Sequence, residues 1–225
     1  TGGSKSAITS GGAIAEVADA VIEKGRQAAA HVLEAAVADI EFDNGKFEIA
    51  GTDRRVALLD LAATLRTRAD LPADVPASLD TELKHEPGPS AFPNGAHVAE
   101  VEIDPATGVT RVVKYSAVDD FGTILNPMIV EGQVHGGVAQ GVGQILLENT
   151  LYDDDGQLLT ASFMDYGMPR ADDFCNIDVQ ANSVPTETNP LGVKGVGEAG
   201  CVGAMPVMMN AVIDALSPLG IRDLD

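Results

Sequence analysis

The sequence predicts an α+β fold in which helices pack with antiparallel hairpins. Apolar residues recur at helical spacing in several separate stretches, and between them β-prone runs flank tight-turn signatures. The regular strand–helix–strand alternation that announces a parallel α/β sheet is missing.

Residues 1–12 are rich in Gly, Ser and Thr and read as a loop, with Ser10 as the candidate N-cap of the first helix. Ile14, Val17, Ala18, Val21, Ile22, Ala29, Val32, Leu33, Ala36 and Val37 then mark a long amphipathic helix over about 11–38. Ile40–Phe42 and Phe47–Ile49 flank Asn44-Gly45, the favoured pair for a type I′ hairpin turn. Val56, Leu58, Leu59, Leu61 and Leu65 predict a shorter helix over about 56–68. Residues 70–95 carry Pro72, Pro76, Pro87, Pro89 and Pro93 and read as an irregular connector. The whole chain, 1–225, reads as one functional piece, with a possible subdivision into 1–70 and 95–225 at that connector. A second hairpin pairs Val98, Val101 and Ile103 with Val109, Val112, Val113 and Tyr115 across an Asp104–Gly108 turn. A helix follows over about 127–149, with Pro127 acceptable in its first turn. A third hairpin is expected around Asp153–Gly156, then a Gly/Pro-punctuated loop over 184–204 and a final apolar helix over about 205–216.

Charge narrows the partners. Fourteen Lys and Arg stand against 34 Asp and Glu, a formal net charge of −20, which repels phosphate backbones and anionic membranes. No apolar run is expected to reach the ~20 residues needed to span a bilayer. No signal peptide precedes the first helix, so the expected location is the cytoplasm. Cys175 and Cys201 are too few for a disulfide framework or a metal motif. The start at Thr1 without Met and the stop at Asp225 suggest a domain cut from a longer protein.

Three segments could carry chemistry. The first is Lys194-Gly195-Val196-Gly197-Glu198-Ala199-Gly200, where glycines let the backbone approach a bulky ligand. A carboxylate shielded from water in such a loop is a usable base; the alternative is a surface turn with a solvated Glu198. The second is Gly132–Gln144, whose five glycines in a helical pattern cost ~1 kcal/mol each relative to Ala. Either close helix packing or a cofactor lying against the helix could offset that cost, and Gln140 offers an amide there. The third is Thr1-Gly2-Gly3-Ser4-Lys5-Ser6, amides and hydroxyls ahead of a helix, which suit a phosphate or form an ordinary loop. The glycines of 192–200 also mimic a dinucleotide fingerprint, but no buried strand clearly precedes them. His31, His85, His97 and His135 show no metal-ligand spacing, so no protein-ligated metal is expected. Cys201 reads as a small packing residue.

Together these segments resemble the molybdenum-binding large subunits of the xanthine dehydrogenase/aldehyde oxidase family, closest in flavour to the bacterial aldehyde or carbon monoxide dehydrogenase type. The matching stretches are Gly2–Ser6, Val118–Gly122 with Asn126-Pro127, Glu131–Gly143, Val193–Ala204, Asn210–Val212 and Ala215–Gly220, in the family's order. The resemblance implies a molybdenum hydroxylase in which Glu198 is the catalytic base, taking a proton from the oxygen nucleophile carried by the metal. It implies that Gln140 hydrogen-bonds the apical oxo group. Lys194, Gly195, Val196 and Gly197 would line the cofactor, and Gly3, Ser4, Lys5 and Ser6 would bind the pterin and its phosphates. The implied cofactor is molybdopterin with molybdenum, in the cytosine dinucleotide form usual in bacterial relatives. The substrate would be an aldehyde, a nitrogen heterocycle or carbon monoxide, hydroxylated with oxygen from water. Partners implied are an N-terminal half of the subunit and 2Fe–2S and FAD subunits or domains. Two rivals stand beside this reading: a non-catalytic interaction or assembly domain of the same fold, and a nicotinamide-dependent dehydrogenase.

Overall fold

The computed structural model describes residues 2–68 and 71–224. They fall into two compact units: residues 9–87, and residues 88 onward together with the N-terminal segment up to Ile8.

The first unit comprises α1 (Gly12–Leu33), a sheet of β1 (Ile40–Asp43), β2 (Lys46–Ile49) and β3 (Arg55–Ala57), and α2 (Leu58–Thr67). Two boundaries differ from expectation. Residues Ser6–Gly11 form a π-helical turn ahead of α1, not a loop, so Ser10 caps nothing. A chain already coiled upstream leaves no orphan amides for a side chain at that point to satisfy. At the other end α1 stops at Leu33, because Glu34 turns left-handed at φ 53° and sends its N–H back to the Ala30 and His31 carbonyls.

The Asn44-Gly45 turn has both φ values positive, 48° and 75°, as type I′ requires. It sets Phe42 opposite Phe47, with ring centroids 4.7 Å apart. Strand β3 adds antiparallel to β2, a pairing the sequence did not announce. Phe47, Ala28, Ala29, Leu61 and Leu65 are buried at this core. Gly25 admits the Phe47 ring against α1; a Cβ there would lie 2.1 Å from Cζ. Phe47→Ala should therefore cost about 3–5 kcal/mol, read as a lowered midpoint in urea denaturation. Part of the proline-rich stretch is fastened to this unit. Leu79 is buried in its core, Lys24 Nζ donates to the Asp80 carbonyl at 2.5 Å, and His85 Nδ1 lies 2.9 Å from Glu16 Oε2.

The second unit holds a sheet of β4 (Asn94–Ile103), β5 (Thr110–Asp120) and β6 (Ile177–Ala181), with α3 (Pro127–Leu146) and α4 (Ala199–Leu216). The β4–β5 hairpin forms as expected; Asp104 Oδ1 accepts from Ala106 N within its turn. The third hairpin shrinks to one bridge, Tyr152 with Leu158, around a turn held by the Asp153 carboxylate. Strand β6 pairs parallel to β5, Ala117 opposite Val179, with α3 in the connection. The sheet is therefore mixed, not built from hairpins alone.

Helix α3 begins at Asn126, whose Oδ1 accepts from Ile129 N. Helix α4 starts six residues earlier than the sequence suggested and carries Pro206 inside it. Packing explains this. A Cβ on Gly200 would lie 2.4 Å from the Val134 carbonyl oxygen, one on Gly137 2.8 Å from Cys201 N, and one on Gly141 2.6 Å from Ala204 Cβ. The glycines that weaken helix propensity are the ones that let the two helices touch. Contrary to expectation, Ala199–Leu219 is long and apolar enough, by length and composition, to cross a membrane. In this structure its Gly200 and Ala204 are buried on α3. Val134, Val138, Val142, Met208, Tyr115 and Phe121 complete the core.

Candidate functional site

The loop before Glu198 is held by short antiparallel pairing with the end of β5. Thr123 N donates to the Gly192 carbonyl and Lys194 N to that of Phe121, each at 2.9 Å. Gly122 and Gly192 meet face to face with φ of 64° and 66°; a Cβ on Gly122 would lie 2.2 Å from Gly192 O. The buried Asn189 closes the loop, its Oδ1 accepting from Val193 N and its Nδ2 donating to Val193 O.

The N-terminal segment meets this loop. Gly3 and Ser4 are both left-handed, φ 67° and 52°. Ser4 Oγ accepts from Val196 N at 3.4 Å, and a Cβ on Gly195 would contact the Gly3 backbone at 3.6 Å. Beside this junction is a cavity of about 300 Å³, lined by Ser4, Phe121, Gln133, Lys194, Val196 and Gly197 among others. Six of the residues singled out from sequence thus converge: Gly3, Ser4, Lys194, Gly195, Val196 and Gly197. Lys5 and Ser6 are exposed and do not line the cavity.

Glu198 sits at the N-cap position of α4, exposed, its side chain capping nothing. The shielding from water expected of its loop is not supplied by the described residues. Gly197 beside it opens onto space in which an added Cβ meets nothing within 4 Å. Gln140 is exposed on α3 and lies outside the cavity lining. Gln133 lines the cavity instead, two turns nearer the helix start and about 10 Å away along the axis. The glycines of α3 divide in two: Gly137, Gly141 and Gly143 make close contacts, whereas Gly132 and Gly136 face open space.

Two polar clusters escaped the sequence reading. Asp120, at the end of β5, receives Gly122 N and Val184 N on Oδ1, and Lys194 Nζ at 2.6 Å on Oδ2. Burial works against its ionisation, but the bonds from Lys194, Val184 and Gly122 outweigh it and hold the carboxyl at about 2. Ionised Asp120 therefore stabilises the fold above the ordinary value of 3.8, and that contribution is lost as pH falls through about 2. Asp120→Asn should be less stable by about 2 kcal/mol at pH 7, with the difference gone near pH 2, measured by urea denaturation across pH.

The second cluster is Tyr115, His97 and Asp119. His97 Nδ1 lies 2.7 Å from Tyr115 Oη and Nε2 3.2 Å from Asp119 Oδ1. Burial, with the charge of Asp119 adding to it, raises the Tyr115 hydroxyl far above its ordinary value. Tyr115 therefore stays protonated; where Nε2–H donates to Asp119, the Nδ1 of a neutral ring accepts from the Tyr115 hydroxyl. Gly203 of α4 lies on the ring; a Cβ there would be 2.4 Å from Nδ1. The signal was period-two spacing, which puts Tyr115, Ala117 and Asp119 on one face of β5. His97 stands opposite Ala117 on β4.

No three His, Cys, Asp or Glu side chains among the described residues converge on a metal position. Gly197 at the cavity, and Gly132 and Gly136 on α3, each open onto space in which an added Cβ meets nothing within 4 Å.

The comparisons agree on one family. Residues 1–175 match the molybdopterin cofactor-binding domain model. The chain is 38% identical to the nicotine 6-hydroxylase large subunit of Paenarthrobacter nicotinovorans, over 97% of its own length and 27% of that protein's. It is 34% identical to the carbon monoxide dehydrogenase large chain of Hydrogenophaga pseudoflava, over 100% of this chain and 28% of that one. The crystal structure of quinoline 2-oxidoreductase from Pseudomonas putida 86 superposes with a TM-score of 0.83 at 39% identity, covering 96% of this chain and 28% of that one. The chain thus spans about a quarter of the length of the relatives it matches. It belongs to the molybdopterin cofactor-binding domains of the xanthine dehydrogenase family of large subunits.

Proposed function

We propose that this chain forms part of the active site of a molybdenum hydroxylase, with Glu198 as its catalytic base. The observation that carries the reading is the convergence of the Gly3–Ser4 segment on the Lys194–Gly197 loop, one residue before an exposed carboxylate. Gly3, Ser4, Lys5 and Ser6 would bind the pterin and its phosphates through backbone amides and hydroxyls. Gly195, Val196 and Gly197, with Lys194, would lie alongside it, and Gln140 would present its amide to the oxo group. The cytosine dinucleotide form of molybdopterin is the proposed cofactor.

When bound, that cofactor supplies a two-electron acceptor and a place for an oxygen derived from water. The chain's part is proton handling and positioning. Glu198, carried at the start of α4, would take up the proton released as the new C–O bond forms. Overall a C–H bond becomes C–OH with oxygen from water, releasing two electrons and two protons. With carbon monoxide the product is carbon dioxide, with the same electron count. The two electrons would pass to 2Fe–2S and FAD centres on partner subunits or domains. The proposed substrates are a nitrogen heterocycle, an aldehyde or carbon monoxide; nicotine and quinoline in the relatives' names favour the heterocycle. A further stretch of the subunit would complete the pocket and shield Glu198.

Gly197 provides the test, because an added Cβ there meets nothing within 4 Å among the described residues. Gly197→Val should leave the melting temperature within about 1–2 °C, since surface changes stay within ±0.5 kcal/mol. The same substitution should lower the molybdenum content of the intact subunit at least tenfold. Unchanged molybdenum in the variant would show that the cofactor does not lie against this loop.

A further inference from the structure

We infer that Asp120 is a positioning residue for the Glu198 loop and that the ammonium of Lys194 acts by gripping Asp120, leaving the rest of Lys194 and the loop backbone to lie beside the cofactor. The inference rests on the proposed role of Glu198. Lys194 and Asp120 are 12% and 10% exposed at their side chains and 2.6 Å apart. An ammonium held that closely in partial burial is committed to its carboxylate.

The grip has four points. Oδ1 of Asp120 accepts from Gly122 N at 2.8 Å and Val184 N at 2.9 Å, while Oδ2 accepts from Lys194 Nζ and, at 3.4 Å, from Asn94 Nδ2. One carboxylate therefore ties together the start of β4, the turn after β5, the segment following β6 and the loop that leads to Glu198. The grip also explains the glycine at 122: a Cβ there would lie 3.2 Å from Lys194 Cγ as well as striking the Gly192 carbonyl. Three residues separate Lys194 from Glu198, and the backbone between them passes over Gly3 and Ser4. Releasing Lys194 would leave the loop held by Lys194 N on the Phe121 carbonyl, the 3.4 Å bond from Val196 N to Ser4 Oγ and Ala199 N on the Val196 carbonyl, with no side-chain tie to β5 among the described residues. The loop would then sample positions in which Glu198 is misplaced, a loss that small displacements at a reacting group make large.

The test is amide hydrogen exchange on the purified chain, read by peptide for residues 184–198 and for residues 40–57 as an internal standard. Lys194→Met and Asp120→Asn are each expected to speed exchange over 184–198 by about tenfold, while 40–57 exchanges as in the wild type. Lys194→Arg, which keeps the charge and a donor, should restore protection to within about threefold of the wild type. Three results would overturn the inference: unchanged protection over 184–198 in Lys194→Met, equal loss in both regions, or no recovery with Lys194→Arg. Because exchange is read without cofactor, loss of molybdenum binding by the wild-type subunit would sink the proposed function and leave this result standing.

Discussion

Glu198→Gln in the intact enzyme is expected to lower turnover by roughly a hundred- to ten-thousand-fold, the usual contribution of a positioned base, while molybdenum content stays at the wild-type level. Gln keeps the size of the side chain and removes only its ability to take a proton. The chain itself should tolerate the exchange, because Glu198 is exposed and its side chain makes no cap bond in α4. Melting temperature therefore serves as a control and should hold. Turnover and cofactor content, measured on one preparation, separate the possible roles. Lost turnover with retained molybdenum marks a base; near-normal turnover with retained molybdenum removes Glu198 from the chemistry.

Gly200→Ala and Gly136→Ala should move stability in opposite directions although both are helical glycines. A methyl on Gly200 would lie 2.4 Å from the Val134 carbonyl oxygen and 3.0 Å from Val138 N, and backbone cannot rotate aside as a side chain can. The α3–α4 crossing must open, at about 1–3 kcal/mol, which lowers the melting temperature by about 3–10 °C. At Gly136 an added methyl meets nothing within 4 Å. There the gain in helix propensity should stabilise by about 0.5–1 kcal/mol. Differential scanning calorimetry of the two variants reads both signs. A Gly200→Ala protein as stable as the wild type would mean that the helices do not cross at these glycines.

That contrast also shows what the sequence could and could not reveal. The glycine-rich run 132–143 raised two explanations, packing and a ligand, and spacing alone could not divide them. The structure assigns Gly137 and Gly141 to α4 and leaves Gly132 and Gly136 open. Elements with strong local signals were legible: α1 and α3 from their apolar periodicity, and the Asn44-Gly45 and Asp104–Gly108 hairpins from turn chemistry. Elements made by distant pairing were not. Strand β6 is five residues that gain their partner only when α3 returns the chain to β5. The first six residues of α4 read as loop because Gly200 and Gly203 weaken helix propensity. Contact with α3 overrides that preference.

The site divides along the same line. The residue types at Gly3, Ser4, Gly195, Val196, Gly197 and Glu198 were visible as motifs. The partner of Lys194 is 74 positions away in sequence, so nothing local pointed to Asp120. Spacing left Glu198 either shielded or solvated, and the structure exposes it, because burial is a property of the assembled surface.

Molybdenum by elemental analysis and CMP released from the same sample of intact subunit decide whether this domain holds the proposed cofactor. Close to one molybdenum and one CMP per subunit are expected. A well-folded subunit purified with neither would contradict the proposed function and favour a non-catalytic domain of the same fold.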